Sequence, residues 1–130
     1  ESFVLNYSAE SELLDIVEAI LQLDDAMRFA AIIDLEGNIL EAIMKEKKTS
    51  LESQKMQEKF CNDAATARTM REVYDDSLGR VRYAHTEREN VTQITVYPKE
   101  CTIFVTMEPE LSIKRKLEIV TKIKKMTSHL

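Results

Sequence analysis

The chain has 130 residues, which suits one domain spanning residues 1–130, because a single hydrophobic core normally serves about 100–150 residues. Hydrophobic residues make up 44% and charged residues 32%, with only two glycines and two prolines, which excludes a disordered or collagen-like chain. No stretch approaches the roughly 20 apolar residues that a membrane span needs. The net charge of −5 argues against general nucleic-acid binding, which usually requires a basic domain.

The two cysteines, Cys61 and Cys101, are far apart in sequence and form no CxxC pair. A disulfide-stabilised domain of this size would normally contain more cysteines. We therefore expect two reduced thiols in a cytoplasmic protein. No basic segment followed by an apolar run is visible near Glu1, so the sequence shows no secretory signal, and the earlier removal of one stays open.

Charge is distributed unevenly along the chain. Residues 1–26 contain seven acidic side chains and no basic one, whereas residues 112–130 contain six lysines and arginines and a single acid, Glu118. Opposite charges at the two ends predict that the first and last helices lie side by side. A basic recognition helix is the alternative for the last segment.

The first elements are predicted to be a helix and a hairpin. Ser8 caps the helix, which ends near Asp24. Its apolar side chains recur at helical spacing and form one face: Leu13, Leu14, Val17, Ile20 and Leu21. Residues 29–33 are apolar on both faces of a strand, which requires burial from both sides. A turn at Gly37, which tolerates a positive φ, leads into the returning strand, residues 39–44.

A long central helix is predicted next. It begins at Ser50 or Ser53, after a polar connection, and ends near Tyr74. One face carries bulkier side chains that we expect to meet the core: Met56, Phe60, Ala64, Ala67, Met70 and Tyr74. Asp63 lies on that face, where a buried carboxylate needs a partner such as Arg71.

Three strands and a helix complete the prediction. Residues 81–85 and 91–96 alternate between apolar and polar side chains, whereas residues 101–107 are apolar on both faces. Pro109 introduces a helix whose apolar face we expect to contain Ile113, Leu117, Val120, Ile123 and Met126. The two strands with two apolar faces should pair at the centre. The predicted fold class is α+β: a five-stranded antiparallel sheet in the order 2-1-5-4-3, with one helix on one face, two on the other, and the element order α-β-β-α-β-β-β-α.

The hairpin after the amphipathic helix reads Ile33-Asp34-Leu35-Glu36-Gly37-Asn38-Ile39-Leu40. With this hairpin and element order, the chain resembles the roadblock/dynein light-chain class of the profilin-like (roadblock–longin) fold, and also small archaeal proteins of about this length. The resemblance implies dimers that pair their third strands edge to edge and pack their central helices together. It further implies scaffolding or regulation of small GTPases and motor complexes without catalysis. PAS and Cache sensor domains use similar turns.

Three small residues spaced four apart on the central helix favour a homodimer independently, because a second helix can approach closely there. Flanking charges allow salt bridges across an antiparallel pair, each worth only about 0–1 kcal/mol. Two arginines on the predicted edge strand either discourage random pairing or belong to the dimer. The candidate interface comprises the small residues Cys61, Ala65 and Thr69, the flanking Glu58, Arg68 and Glu72, and the edge-strand Arg80 and Arg82.

Residues for catalysis or cofactor binding are sparse. His85 and His129 are far apart, and no further ligands follow them at a spacing typical of zinc sites. The sequence contains no glycine-rich phosphate-binding motif. A nucleophilic pair of Cys61 or Cys101 with His85 stays open, because such pairs meet only in space. We expect a protein that is not an enzyme and that has no catalytic residue, metal or cofactor.

The sequence leaves two functions to compare. The first is a non-enzymatic homodimeric scaffold in the cytoplasm, whose partners are a second copy of itself and a protein such as a small GTPase. The alternative is a small-ligand sensor of PAS or Cache-like layout, with a pocket lined by Tyr83, Tyr97 and Phe104. Neither a nucleic acid nor a membrane span is expected.

Overall fold

The computed structural model describes residues 7–45 and 53–130, which form a five-stranded antiparallel sheet with helices on both faces. The strand order is β2-β1-β5-β4-β3, and the predicted fold is thereby confirmed. In chain order, the elements are α1 (Tyr7–Leu21), β1 (Met27–Asp34), β2 (Ile39–Met44), α2 (Gln54–Glu72), α3 (Asp75–Leu78), β3 (Tyr83–Glu87), β4 (Thr92–Val96), β5 (Cys101–Met107) and α4 (Ile113–Met126).

The centre of the sheet is the antiparallel pair β1 and β5. Ala30 lies opposite Val105, and Ala31 lies opposite Phe104. All of these side chains are buried, on both faces of the sheet. Because alternate residues of a strand point to opposite faces, Val105 contributes to the core beneath α1 and α4, whereas Phe104 packs beneath α2. The prediction that these two strands are interior neighbours is confirmed.

Helices α1 and α4 pack on the same face of the sheet and share one hydrophobic core. Glu12 Oε1 lies 2.8 Å from His129 Nε2, and Asp24 Oδ2 lies 2.9 Å from Arg115 Nε. The backbone N–H of Ala26 and the Arg115 guanidinium lower the pKa of Asp24. Ion pairs therefore join the acidic start of the chain to its basic end, in line with the side-by-side packing that the charge distribution predicts.

The starts of α1 and of the third strand differ from the predictions, whereas the start of α2 agrees with one of its two predicted starts. α1 already includes Ser8, so Ser8 lies within the helix and not at its N-cap. The third strand begins at Tyr83, later than the predicted residue 81, because the one-turn helix α3 occupies part of the connection. Ser53 caps α2 by accepting a hydrogen bond from the backbone N–H of Met56 at 3.2 Å. Ser50, the other predicted start, lies outside the described residues. No helix within 7–45 and 53–130 is long and apolar enough to cross a membrane.

The buried face of α4 is rotated relative to the prediction. Ile113 and Leu117, which we expected in the core, are exposed, whereas Lys116 and Ile119 are buried. The rotation is possible because the Lys116 ammonium is compensated: Nζ lies 2.9 Å from Glu87 Oε1 and donates a hydrogen bond to a backbone carbonyl. A buried lysine without such partners would be costly.

Glu87 connects this lysine to the edge strand. Its carboxylate lies 3.0 Å from His85 Nε2 and accepts a hydrogen bond from Thr92 Oγ1 at 2.8 Å. Hydrogen bonds from His85, Lys116 and Thr92 lower the pKa of Glu87 to about 2. The side chain of Glu87 is 46% exposed, so solvent screens much of this interaction.

A pH-dependent loss of stability follows from the lowered pKa of Glu87. Because the pKa in the folded state is below the ordinary value of 4.5, the carboxylate stabilises the fold above about pH 4.5, and this contribution is lost as the pH falls towards 2. We expect Glu87→Gln to reduce the free energy of unfolding at pH 7 and to flatten its decline between pH 5 and pH 2. Urea unfolding at a series of pH values measures both effects. Parallel pH profiles for the two proteins would contradict this assignment.

The β1–β2 turn packs against α2. Asp34 Oδ1 accepts hydrogen bonds from the backbone N–H groups of Glu36 (3.0 Å) and Asn38 (2.8 Å), which fixes the turn. Gly37 has a φ of +98°, and a Cβ atom added to it would lie 2.9 Å from the Cα of Asn62. Gly37 is therefore required both for its backbone conformation and for the close approach of α2.

We expect Gly37→Ala to destabilise the protein by about 2–4 kcal/mol, because it combines backbone strain with a clash against the backbone of α2. Gly79→Ala is the matched control. Gly79 also has a positive φ, +83°, but an added Cβ atom would meet nothing within 4 Å. Gly79 has a ψ of 167°, a region that is essentially restricted to glycine, so strain alone should cost that variant about 1–3 kcal/mol and less than strain and clash together. Urea unfolding measures the difference, and equal losses would mean that the contact with α2 is unimportant.

Candidate dimer interface

The small residues of α2 pack against the sheet. Cys61 and Ala65 are buried within one protomer, and Cys61 belongs to the cluster of Phe29, Ala31, Ile33 and Phe104. The expectation that this stripe is open to a second helix is therefore wrong for these two residues. Small side chains do allow a close approach, as expected, but the surfaces that approach are the sheet and the turn at Gly37 of the same protomer.

The bulkier face of α2 points outwards, opposite to the prediction. Met56, Met70 and Tyr74 are exposed. Phe60, at the edge of this face, is half-buried and packs on Phe104 with 4.4 Å between the ring centroids. Helical periodicity separates two faces, but both faces of α2 contain uncharged residues. The sheet beneath carries large phenylalanine rings, so the face with less bulk packs inwards.

Arg68 fixes the C-terminal half of α2 to the β4–β5 connection. Its guanidinium donates hydrogen bonds to the carbonyl oxygens of Cys101 (2.5 Å) and Pro98 (2.7 Å). It also donates to Thr102 Oγ1 at 3.1 Å and lies 5.4 Å from the centre of the Tyr97 ring. Arg68 is buried, so its predicted role in a salt bridge between protomers is replaced by this contact within the protomer.

The other predicted interface residues are exposed. Glu72 lies 3.7 Å from Arg68 Nε, a pairing within the helix. Thr69 donates a hydrogen bond from its hydroxyl to the carbonyl of Ala65. Glu58, on the first half of α2, and Arg80 and Arg82, which precede β3, are also exposed. The interface role of these exposed residues stays a prediction.

Asp63 is exposed and forms an ion pair with Lys59, whose Nζ lies 2.9 Å away. The predicted partner, Arg71, instead donates a hydrogen bond to the hydroxyl of Tyr97 at 2.8 Å. Because α2 presents its small face to the sheet, Asp63 lies on the solvent side. It therefore needs no partner from the core.

A continuous series of apolar side chains is exposed at the end of α2 and beyond it. Met70 is 66% exposed, Tyr74 is 60% exposed, and Leu78 on α3 is 79% exposed. The series continues along the chain at Val81 and Tyr83, where β3 begins. Exposed apolar side chains that are concentrated in one stretch, and not scattered singly, favour a protein–protein contact. We call the set Met70, Val73, Tyr74, Leu78, Val81 and Tyr83 the apolar stripe.

Among the residues that the structure describes, β3 is an edge strand that pairs only with β4, from Tyr83 opposite Val96 to Glu87 opposite Thr92. Its outer backbone groups are open for pairing with another strand. The apolar stripe leads directly to this edge. The apolar residues after the C-terminal end of α2 and the edge strand β3 therefore follow each other along the chain.

The spaces around α2 differ in size. Two clefts of about 570 and 590 Å³ flank the helix, one beside the β3–β4 turn and one beside β2, and neither is lined by Tyr83, Tyr97 or Phe104. Two other spaces are much smaller. Phe29, Phe60 and Phe104 line a space of about 40 Å³ between the sheet and the helix. Tyr97 lines a different space, of about 20 Å³, beside Arg68. A typical ligand pocket measures about 300–1,000 Å³. The pocket predicted from Tyr83, Tyr97 and Phe104 is therefore not formed by these two spaces.

The described residues hold no group of three or more His, Cys, Asp and Glu side chains that could bind a metal ion. Both cysteines are buried. Burial raises the pKa of the Cys101 thiol to about 11, so it is protonated and poorly nucleophilic at neutral pH. His85, the other member of the possible nucleophilic pair, contacts Glu87.

Solved structures share this architecture. MglB, a gliding protein from Thermus thermophilus, aligns with a TM-score of 0.80 at 12% identity, over 98% of this chain and 94% of that chain. A structure of MglB with a tetrameric arrangement aligns at 0.76 and 12% identity, over 98% and 96%. A Roadblock/LC7 domain from Streptomyces avermitilis aligns at 0.60 and 9% identity, over 85% and 92%. The chain therefore has the roadblock fold that its hairpin and element order suggest.

The sequence itself identifies the family. Residues 12–129 match the model of DUF6659, described as a family of unknown function, and the chain belongs to that family. Among curated proteins, no sequence matches the chain.

The contacts of Arg68 predict a large effect of its removal. We expect Arg68→Met to destabilise the protein by about 2–4 kcal/mol, because the buried carbonyl and hydroxyl oxygens would lose their donors. Arg71→Met is the control, because Arg71 is exposed and makes a single hydrogen bond to Tyr97. That loss should be at most about 1 kcal/mol. Thermal or urea unfolding would measure both, and equal effects would show that Arg68 does not anchor α2.

Proposed function

We propose that this protein is a non-enzymatic homodimer that acts as a protein-interaction scaffold. The carrying observation is the apolar stripe, which begins near the C-terminal end of α2 and continues along the chain to the start of the edge strand β3. A second copy related by a twofold axis would cover the stripe with the same stripe, as in other symmetric dimers. Pairing of the two β3 edges would extend the sheet across the dimer.

The composition of the stripe fits a stable interface. Met and Tyr are enriched at the cores of protein interfaces, and Met70 and Tyr74 are both exposed near the C-terminal end of α2. Arg80 and Arg82 lie beside the edge, as does Glu72 near the end of α2. Charges at these positions would set the register of two protomers more than the strength of their association.

Regulation of a small GTPase, or of a protein in a similar role, is the function we propose for the dimer. The likeness to MglB and to a Roadblock/LC7 domain supports this through the fold. The cytoplasm is the compartment we propose. A small-ligand sensor is less well supported, because none of the four spaces described around α2 is lined by Tyr83, Tyr97 and Phe104 together.

The dimer predicts a change of mass on mutation of the stripe. We expect Met70→Glu to convert the dimer to a monomer at micromolar concentration, because it would bury two like charges near the twofold axis. Leu35→Glu is the matched control: Leu35 is 44% exposed in the β1–β2 turn, away from the stripe, so that variant should stay dimeric. Sedimentation velocity measures both masses, and circular dichroism verifies folding. A monomeric parent protein, or a Met70→Glu variant with unchanged mass, would contradict the proposed interface.

Substitution of Ala65 would not be an equivalent test. Ala65 is buried against the sheet, so a glutamate there would unfold the protomer whether or not a dimer exists. For the GTPase, the direct measurement is binding of the purified protein to small GTPases of its own organism, loaded in turn with GDP and with a non-hydrolysable GTP analogue. Binding that is lost in Met70→Glu would support a dimeric platform, and no binding to any of them would contradict this part of the proposal.

A further inference from the structure

A second surface, opposite to the apolar stripe, carries ordered charge. Helices α1 and α4 lie antiparallel on that side of the sheet, because Glu12 near the start of α1 pairs with His129 after α4, and Asp24 after α1 pairs with Arg115 at the start of α4. The two helices therefore form a flat pair whose outer face is one acidic and one basic row.

Helical periodicity places Asp15 and Glu18 on the outer face of α1, and Lys122 and Lys125 on the outer face of α4, away from the buried side chains of each helix. All four are exposed. In the part of the chain that the structure describes, none of these four side chains forms an ion pair or a hydrogen bond; the pairs that join the helices involve other residues.

The ion pairs at the two ends also set the heights of these residues. Each helix advances about 1.5 Å per residue. With Glu12 level with His129 and Asp24 level with Arg115, Asp15 lies at about the height of Lys125. By the same reasoning, Glu18 lies at about the height of Lys122. The one acidic residue of α4, Glu118, lies level with the uncharged Gln22.

We propose that a second copy of this chain docks face to face on the α1–α4 pair, about a twofold axis that runs between the two helices and parallel to them. Rotation about this axis keeps each residue at the same position along the helix direction and exchanges the positions of the two helices. It therefore places α1 over α4 of the second copy. Asp15 then meets Lys125 of the partner subunit, and Glu18 meets Lys122 of the partner subunit. Glu118 meets Gln22 of the partner subunit, which avoids a like-charge contact.

The charge pattern selects this axis over the alternative. A twofold axis perpendicular to the helices would place α1 over α1 and α4 over α4, bringing like charges together. The contact is independent of the apolar stripe, which lies on the other face of the sheet. If both contacts form, the protein assembles beyond a dimer.

Three charge variants test the pairing: D15K/E18K makes both rows basic, K122E/K125E makes both rows acidic, and the four-fold variant exchanges the rows. We expect each two-fold variant to lower the association constant by about tenfold or more, because attraction becomes repulsion. The four-fold variant should restore association, and the two two-fold variants should bind each other when mixed. Sedimentation velocity over a range of concentrations measures all of these.

Salt provides a second readout. Raising the ionic strength from about 0.05 M to about 0.5 M should weaken this association, because exposed charges are screened over a shorter distance. Repeating the series in the Met70→Glu background separates this contact from the apolar stripe. If the apolar stripe does not form a dimer, Met70→Glu leaves the mass of the parent protein unchanged. If the charged contact does not form, charge reversal has no effect on association in either background. Unchanged association in all variants, or a four-fold variant that does not recover, would overturn the pairing. If only one of the two-fold variants changed the association, the surface would bind a different partner, and this result would also overturn the pairing.

Discussion

The central pair of strands, buried on both faces, constrains everything else in this protein. β1 and β5 offer apolar side chains to both sides of the sheet, so each side requires a helical cover. The chain supplies α1 and α4 for one side and α2 for the other. The β1–β2, β3–β4 and β4–β5 connections are short, so each of these pairs of strands lies side by side and antiparallel. With β1 and β5 at the centre, β2 and β3 become the edges. The open edge of β3 is thus a consequence of which strands are most apolar.

The way in which α2 covers its side of the sheet determines the exposed surface. Large rings occupy the sheet beneath it, Phe29 and Phe104 among them, so the helix meets them with its small residues. Arg68 fixes its C-terminal half to the β4–β5 connection, and the turn at Gly37 meets it at Asn62. Because the face with small residues packs against the sheet, the bulkier residues Met56 and Met70 of the same helix are exposed. The apolar stripe is therefore a product of core packing, and it is also the feature from which a dimer is inferred.

The sequence was sufficient for the architecture, because strands that are apolar on both faces belong at the centre of a sheet. It was also sufficient for the side-by-side contact of α1 and α4, which the unequal charge of the chain ends indicates, but not for their antiparallel direction. It was insufficient for the orientation of α2, because periodicity defines two faces without saying which one the sheet can accommodate. Lys116 was missed for a related reason. A lysine counts as polar in any amphipathic pattern, and the partner that allows its burial, Glu87, is distant in sequence. Repeated small residues such as Cys61 and Ala65 indicated a close approach, but not that the sheet was the surface approached.

The two faces of the sheet therefore offer contacts of unlike physical character. The proposed contact at the C-terminal end of α2 and the start of β3 is made by exposed apolar side chains, and burial of apolar surface depends little on ionic strength. Around α1 and α4 it is charged, and attraction between exposed charges weakens as salt screens it. In the proposed assembly, the contact through the apolar stripe would persist at salt concentrations that dissociate the contact between the α1–α4 pairs. A small domain can in this way combine a constant pairing of protomers with a second association that responds to its surroundings, using only the two sides of one sheet.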